Sequence, residues 1–270
     1  MIGSTTLAAE PLSIVTYNIR FANPRDGEDI WEHRVDAVCN FIDEHDIIGL
    51  QEVTFKQLKE LQTRLSDFAS YGVGRDDGKA GGEHAPIFYR KDRIEVVDKG
   101  TFWLSPEPNK VGQKGWDAAL PRTCTWMMLR DTTSNQTAWI ANTHFDHKGA
   151  QARTESAKLI RQIAQDRAKM LPAIVMGDFN CLPDSSPYLA ITTDGWLVDG
   201  RTVSKTPASG PDSTWNGFHE IASGRVIDHL FVHGPIEVIS YETLNPKTSE
   251  GRFASDHLPA RITARLTANE

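Results

Sequence analysis

The chain has few cysteines, no long apolar run and no excess of positive charge, and each shortage excludes a class of protein. Its three cysteines, Cys39, Cys124 and Cys181, are odd in number and far apart. That spacing gives neither a disulfide framework nor a metal finger. No apolar stretch approaches the ~20 residues needed to cross a bilayer as a helix. Lys and Arg number 29 against 36 Asp and Glu, a formal net charge of −7. A protein gripping many phosphates of a duplex would carry the opposite balance. The first ten residues have neither a basic start nor an apolar stretch long enough for a secretory leader, so a cytoplasmic chain is expected. Leu7-Ala8-Ala9-Glu10 could still be the remnant of a trimmed leader. No Pro/Gly/Ser-rich linker and no internal repeat divides the sequence. One domain over residues 1–270 is expected, with residues 1–10 as a disordered tail and the chain a monomer.

What is present is ordinary globular composition, with 39% hydrophobic and 24% charged residues, enough for a core without covalent staples. Leu12 to Ile19 alternates and is rich in β-branched residues, which predicts a strand. Helical spacing of Trp31, Val35, Val38 and Phe41-Ile42 predicts a helix over 31–44, and Leu58, Leu61 and Leu65 predict another over 55–65. A third and longer helix is predicted over 150–169. Strands are predicted over 47–50, 68–73, 86–89, 94–104, 124–130, 137–142, 173–176, 227–232, 236–244 and 260–266. Segments 75–82, 105–121 and 205–216 read as long loops, which are uncommon unless they serve a function. Helix-strand units separated by strand-rich stretches suit an α/β fold. The expected form is a four-layer sandwich of two packed, mainly antiparallel sheets flanked by helices.

Short polar motifs end or follow the apolar runs: Thr16-Tyr17-Asn18, Leu50-Gln51-Glu52, Asn142-Thr143-His144, Gly177-Asp178-Phe179-Asn180, Ile227-Asp228-His229 and Ser255-Asp256-His257. Strands deliver apolar side chains to a core, so polar residues at their ends are free to converge on one rim. Asparagines, histidines and carboxylates gathered in this way suit metal-assisted hydrolysis of a phosphoester.

In this order, from Asn18 to His257, the motifs resemble the endonuclease/exonuclease/phosphatase superfamily. The resemblance implies Mg²⁺ or Mn²⁺ as cofactor, with Glu52 as principal ligand and Asn18 and Asp256 beside it. It implies that Asp178 orients or deprotonates the attacking water and that Asn180 donates to the developing phosphorane oxygen. His257 would face the scissile phosphate, with Asp228 favouring its protonated form. His144, paired with Glu83, would grip the opposite side, giving two His–carboxylate pairs around one phosphate. Where some members carry an acidic ligand two residues after the first Asn, this chain has Arg20.

Each element also has a plainer reading. A lone Asp-His pair is more often an ordinary hydrogen bond, and Asp and Asn favour turns for backbone reasons. The ordered set outweighs those readings, whereas His229, alternating away from Asp228 on its strand, reads as structural. Cys181 has no base beside it and reads as a small buried residue. Arg122 reads as a substrate contact, and Arg75 as either a phosphate clamp or a solvated loop charge. Asp146 and His147 would touch substrate or support residues that do. Trp116, Trp215 and Phe218 would stack on a sugar or base, or cap a core edge. The expected activity is a phosphodiesterase or phosphatase acting on a small or glycan-linked phosphoester. A DNA or RNA nuclease is the alternative, with nucleic acid the less favoured partner, and a non-catalytic phosphate-binding protein is a third reading.

Overall fold

The computed structural model describes residues 10–267; most of the tail expected over residues 1–10 lies outside that range. Strand β1 (Leu12–Asn18) leads to helix α1 (Trp31–Asp43), strand β2 (Ile47–Gln51) and helix α2 (Phe55–Arg64). Strands β3 (Phe68–Tyr71), β4 (Ile87–Arg90), β5 (Ile94–Trp103), β6 (Thr123–Asp131) and β7 (Thr137–His144) follow. Next come α3 (Ala150–Ala168), β8 (Ala173–Asp178), α4 (Ser186–Thr192), β9 (Val198–Asp199) and α5 (Gly200–Val203). Strands β10 (Asp228–His233), β11 (Ile236–Thr243) and β12 (Ala260–Leu266) complete the order.

The strands form two six-stranded sheets, ordered β11-β12-β1-β2-β4-β3 and β5-β6-β7-β8-β10-β9. Each is mainly antiparallel with one parallel pair, β1 with β2 and β7 with β8. Between them lies an apolar layer with Ile14, Ile47 and Ile262 from the first sheet and Met127, Ile140, Met176 and Leu230 from the second. The outer face of the first sheet buries Val15, Tyr17, Ile48 and Leu50 against Val35, Val38, Leu58 and Leu61 of α1 and α2. Ala157, Ile160 and Ala164 of α3 cover Trp139, Val175 and Phe231 on the second. The four-layer arrangement is therefore present.

Two polar side chains bolt the sheets together inside that apolar layer. Asn142 donates through Nδ2 to the carbonyls of Leu50 and Pro86 at 2.8 and 3.0 Å, and Gln51 Nε2 donates to Asn142 Oδ1 at 2.6 Å. Gly49 makes room for this clamp, since a Cβ there would sit 2.6 Å from Asn142 Oδ1. Asn142 and Gln51 thus serve sheet packing, while Glu52 and His144 of the same motifs reach the rim.

Strands β7 and β8 run on to His144 and Asp178, past the predicted ends at 142 and 176. The parallel ladder pairs these two residues directly and keeps the backbone extended through the polar motifs. The short elements α4, β9 and α5 were not predicted. Their buried apolar contacts are few, Pro187 and Ile191 in α4, so no periodic signal marks them.

Candidate active site

Register places the polar motifs at one rim. Asn18 pairs with Gln51, His144 with Asp178, and Asp178 with Asp228 across an antiparallel pair. The turn carrying Ser255-Asp256-His257 joins from the segment before β12, held where Ser255 Oγ donates to the Asn18 carbonyl at 2.7 Å. Thr214 Oγ1 accepts from the backbone N–H of Ile227 and of Asp228, fixing the start of β10. Three non-glycine residues at the rim have left-handed backbones: Arg20 (φ 57°), Glu52 (φ 60°) and Asn180 (φ 47°). Each such conformation costs on the order of 1 kcal/mol. The Arg20 turn is held by Gln57, whose Nε2 donates to the Arg20 carbonyl while its Oε1 accepts from Thr54 N in the capping box of α2.

At the floor, Asp178, Asp228 and His257 are buried, with one potential ligand atom from each lying within 4.8 Å of the others. His257 Nδ1–H donates to Asp228 Oδ2 at 2.9 Å, and its Nε2 stands 3.7 Å from Asp178 Oδ2. Burial opposes a charge on His257, but Asp228 and Asp178 outweigh it and push the pKa up to about 10. A histidine held protonated offers N–H donors to an anion and no lone pair to a metal. Burial, reinforced by the negative charge of Asp228, moves the Asp178 carboxyl above its usual range, the direction that suits a general base. Asp178 accepts from Asn18 Nδ2 at 3.0 Å and from Asn180 N at 2.9 Å.

Glu52 and Asp256 line the open cavity above this floor. Asn18 Nδ2 donates to Glu52 Oε1 at 3.1 Å, and Asn18 Oδ1 accepts from Arg20 N at 3.0 Å. The amide is thereby oriented with its NH₂ group toward the two carboxylates, so Asn18 positions Glu52 and Asp178 in this arrangement. The Arg20 guanidinium, tied to Asp26, stands 3.9 Å from both Glu52 and Asp256. The donor set at the rim is therefore carboxylate oxygen with little nitrogen competition, which fits a hard divalent cation keeping several waters.

On the opposite wall His144 is buried, its Nε2 3.4 Å from Asp178 Oδ2 and its Nδ1 4.0 Å from Glu83 Oε2. Burial, with Arg122 and Arg75 nearby, drives the His144 pKa well below its ordinary value, so the ring is neutral. Glu83 is engaged in a two-point pair with Arg75, at 2.7 and 3.1 Å. Burial raises the Glu83 carboxyl despite Arg75. Arg122 is buried and donates through Nη2 to His147 Nδ1 at 3.1 Å, with Asp146 Oδ2 3.5 Å from its Nε. Asp146 is itself fixed by the backbone N–H groups of Lys148 and Gly149. Although burial works against it, those bonds and Arg122 lower its pKa to about 2.

The cavity holds about 550 Å³ and is lined by Glu52, Glu83, Arg122, His144, Asp178, Asn180, Trp215, Asp256 and His257. Asn18, Asp228 and Asp146 lie behind that lining, and Trp116, with φ 49°, does not line it. Trp215 does, packed against the Arg225 guanidinium at 4.0 Å and bridged to the backbone of His257. Arg20, Phe21, Leu120 and His147 also line the cavity. Phe21 and Leu120 carry no signal in the sequence beyond loop position. In the sequence Arg20 stands out as a departure from the family's acidic pattern, and His147, with Asp146, as a contact to substrate or a support for residues that touch it. His229 faces away, its Nε2 donating to the Cys181 carbonyl at 3.0 Å and its Nδ1 3.5 Å from Asp199 Oδ2.

The sequence profile of the Endonuclease/Exonuclease/phosphatase family matches residues 15–257. The chain belongs to this family, whose enzymes hydrolyse phosphoesters and generally use divalent metals. A family protein of Bacteroides vulgatus is 40% identical, with a TM-score of 0.90, covering 95% of this chain and 99% of that one. A mannosyl-6-phosphatase of Bacteroides thetaiotaomicron is 37% identical, with a TM-score of 0.88, covering 94% of this chain and 99% of that one. An uncharacterised protein of Acanthamoeba polyphaga mimivirus is 26% identical over 198 residues, 59% of this chain. The match spans only 29% of that longer protein.

Proposed function

We propose that the chain is a divalent-metal-dependent hydrolase of a small or glycan-linked phosphoester. The observation that carries this reading is the buried Asp178–His257–Asp228 cluster at the floor of an open cavity whose rim presents Glu52 and Asp256. Glu52 and Asp256 would hold Mg²⁺ or Mn²⁺, which when bound neutralises phosphate charge and stabilises the leaving oxygen. Asp178 takes a proton from water as the water oxygen bonds to phosphorus. The bond from phosphorus to the leaving oxygen breaks, and that oxygen gains a proton from solvent. His257, kept protonated by Asp228, donates to the phosphorane oxygens, with Asn180 beside it. Asn18 holds Glu52 and Asp178 in register throughout.

The mannosyl-6-phosphatase, 37% identical over nearly the whole chain, supports a sugar-linked substrate, as does the half-buried Trp215 at the cavity edge. An indole face there suits stacking on a pyranose ring. The test is hydrolysis of p-nitrophenyl phosphate and mannose 6-phosphate with Mg²⁺ and with EDTA, by wild type, Glu52→Ala and Asp178→Asn. Turnover should vanish in EDTA and fall by about 10³-fold or more in each folded variant. Wild-type kcat in either variant, or full activity in EDTA, would overturn the mechanism.

A further inference from the structure

Arg122 and Arg75 present a feature that the hydrolytic groups do not use. Arg122 is 4% exposed, yet its Nε and Nη1, together with Arg75 Nε, find no hydrogen-bond acceptor among the described residues. Buried donors of charged groups left without acceptors are costly, so the arrangement is complete only with an added acceptor. Beside them lies a notch of about 10 Å³ lined by Arg75, Glu83, Arg122, Thr123 and His144. A space that small holds about one oxygen-sized atom. It adjoins the open cavity, with which it shares Glu83, Arg122 and His144.

We propose that this notch receives the third non-bridging oxygen of a phosphomonoester, so that Arg122, backed by Arg75, makes the site selective for monoesters over diesters. The inference rests on the phosphoesterase reading and narrows its substrate class. A phosphate at the floor would turn one oxygen to Glu52 and Asp256 and one to His257 and Asn180. The remaining substituent then faces His144 and Arg122. In a monoester that substituent is a bare, charged oxygen, which fits one atom's space and accepts from guanidinium N–H groups. In a diester it carries carbon, which the notch cannot admit and which would leave the Arg122 donors unpaired. Asp146 and His147 hold the guanidinium in place: Asp146 is anchored on backbone N–H groups, and His147 Nδ1 accepts from Nη2.

Two measurements on wild type, Arg122→Gln and Arg122→Lys test this. The first is the affinity for inorganic phosphate with Mg²⁺ present, by calorimetry. The second is the ratio of kcat/KM for p-nitrophenyl phosphate to that for bis-p-nitrophenyl phosphate. Wild type should favour the monoester, and Arg122→Gln should lower both phosphate affinity and that ratio about 30-fold, the size of a lost charge-assisted hydrogen bond. Arg122→Lys, which keeps a charge opposite Asp146, should lie between, and it carries the test if the Gln variant does not fold. Equal loss on both esters, or phosphate affinity within twofold of wild type in the variants, would assign the unpaired N–H groups to a water in the notch and overturn the proposal. Phosphate binding is read without turnover. A chain that binds phosphate through Arg122 but hydrolyses neither ester would overturn the hydrolase reading alone.

Discussion

Arg20 shows how one side chain can reset the electrostatics of a site whose other members are familiar. It lines the cavity with its guanidinium 3.9 Å from both Glu52 and Asp256, anchored by Asp26. A fixed positive charge at that range opposes a second cation and weakens the hold on a first. If Glu52 and Asp256 take the metal as proposed, Arg20→Ala should bind Mn²⁺ more tightly by about tenfold or more, since a unit charge a few ångströms from a divalent cation costs about 1.4–2 kcal/mol even at the dielectric of water. Free Mn²⁺ measured by electron paramagnetic resonance reads this directly. Unchanged or weaker binding in the variant would separate Arg20 from the cation site. The same residue illustrates what sequence order can and cannot carry. That Arg20 departs from the acidic pattern was legible; that it reaches back between the two carboxylates depends on its left-handed backbone, which no neighbouring residue type announces.

Among the elements, the central strands and the three long helices were readable because β1 and β2 are short apolar runs rich in β-branched residues, buried on both faces, and α1, α2 and α3 each carry an apolar stripe. Motif residues at strand ends were readable for the same reason, since the end of an apolar run marks a rim. The cavity walls were readable only in part. Arg122 and Trp215 stood out as a charge and an aromatic in polar loops, whereas Phe21 and Leu120 come from segments without periodicity, and placement there follows from long-range bridges such as Trp215 to His257. The β8–β10 pair also carries a buried network on the side away from the cavity, in which Tyr188 Oη donates to Asp199 Oδ2 at 3.0 Å beside His229. Burial disfavours the charge on His229, yet hydrogen bonds to Asp199 and to the Cys181 carbonyl raise its pKa to about 10. A folded pKa above the unfolded value of about 6.5 stabilises fully below that value, and the contribution is lost as pH rises through about 10. Asp199→Asn should therefore lower stability by about 3 kcal/mol near pH 6, with the gap to wild type closing as pH approaches 10. Thermal melts across that range check it, and a gap independent of pH would show that His229 is not held as a cation.

The whole molecule assigns half of the site to each sheet: Asn18 and Glu52 come from the first, His144, Asp178 and Asp228 from the second. The shared apolar layer and the Asn142–Gln51 clamp thus determine whether the site exists at all. Residues 10–267 should accordingly unfold in one cooperative step. Trp31 beneath the first sheet and Trp139 on the second make tryptophan fluorescence sensitive to both halves, and its midpoint should coincide with that of far-UV circular dichroism. Two separated midpoints would show that the halves melt independently. The left-handed backbones at Arg20, Glu52 and Asn180 then acquire a meaning for protein engineering. Glycine would relieve the backbone at each of them while deleting a charge or a donor from the cavity. Selection of variants for heat resistance alone would draw replacements to these three positions and, on the proposed mechanism, return sturdier proteins without the metal ligand Glu52 or the donor Asn180 and with the cation site freed of Arg20. Any such campaign should hold them fixed and seek its gains in the helices.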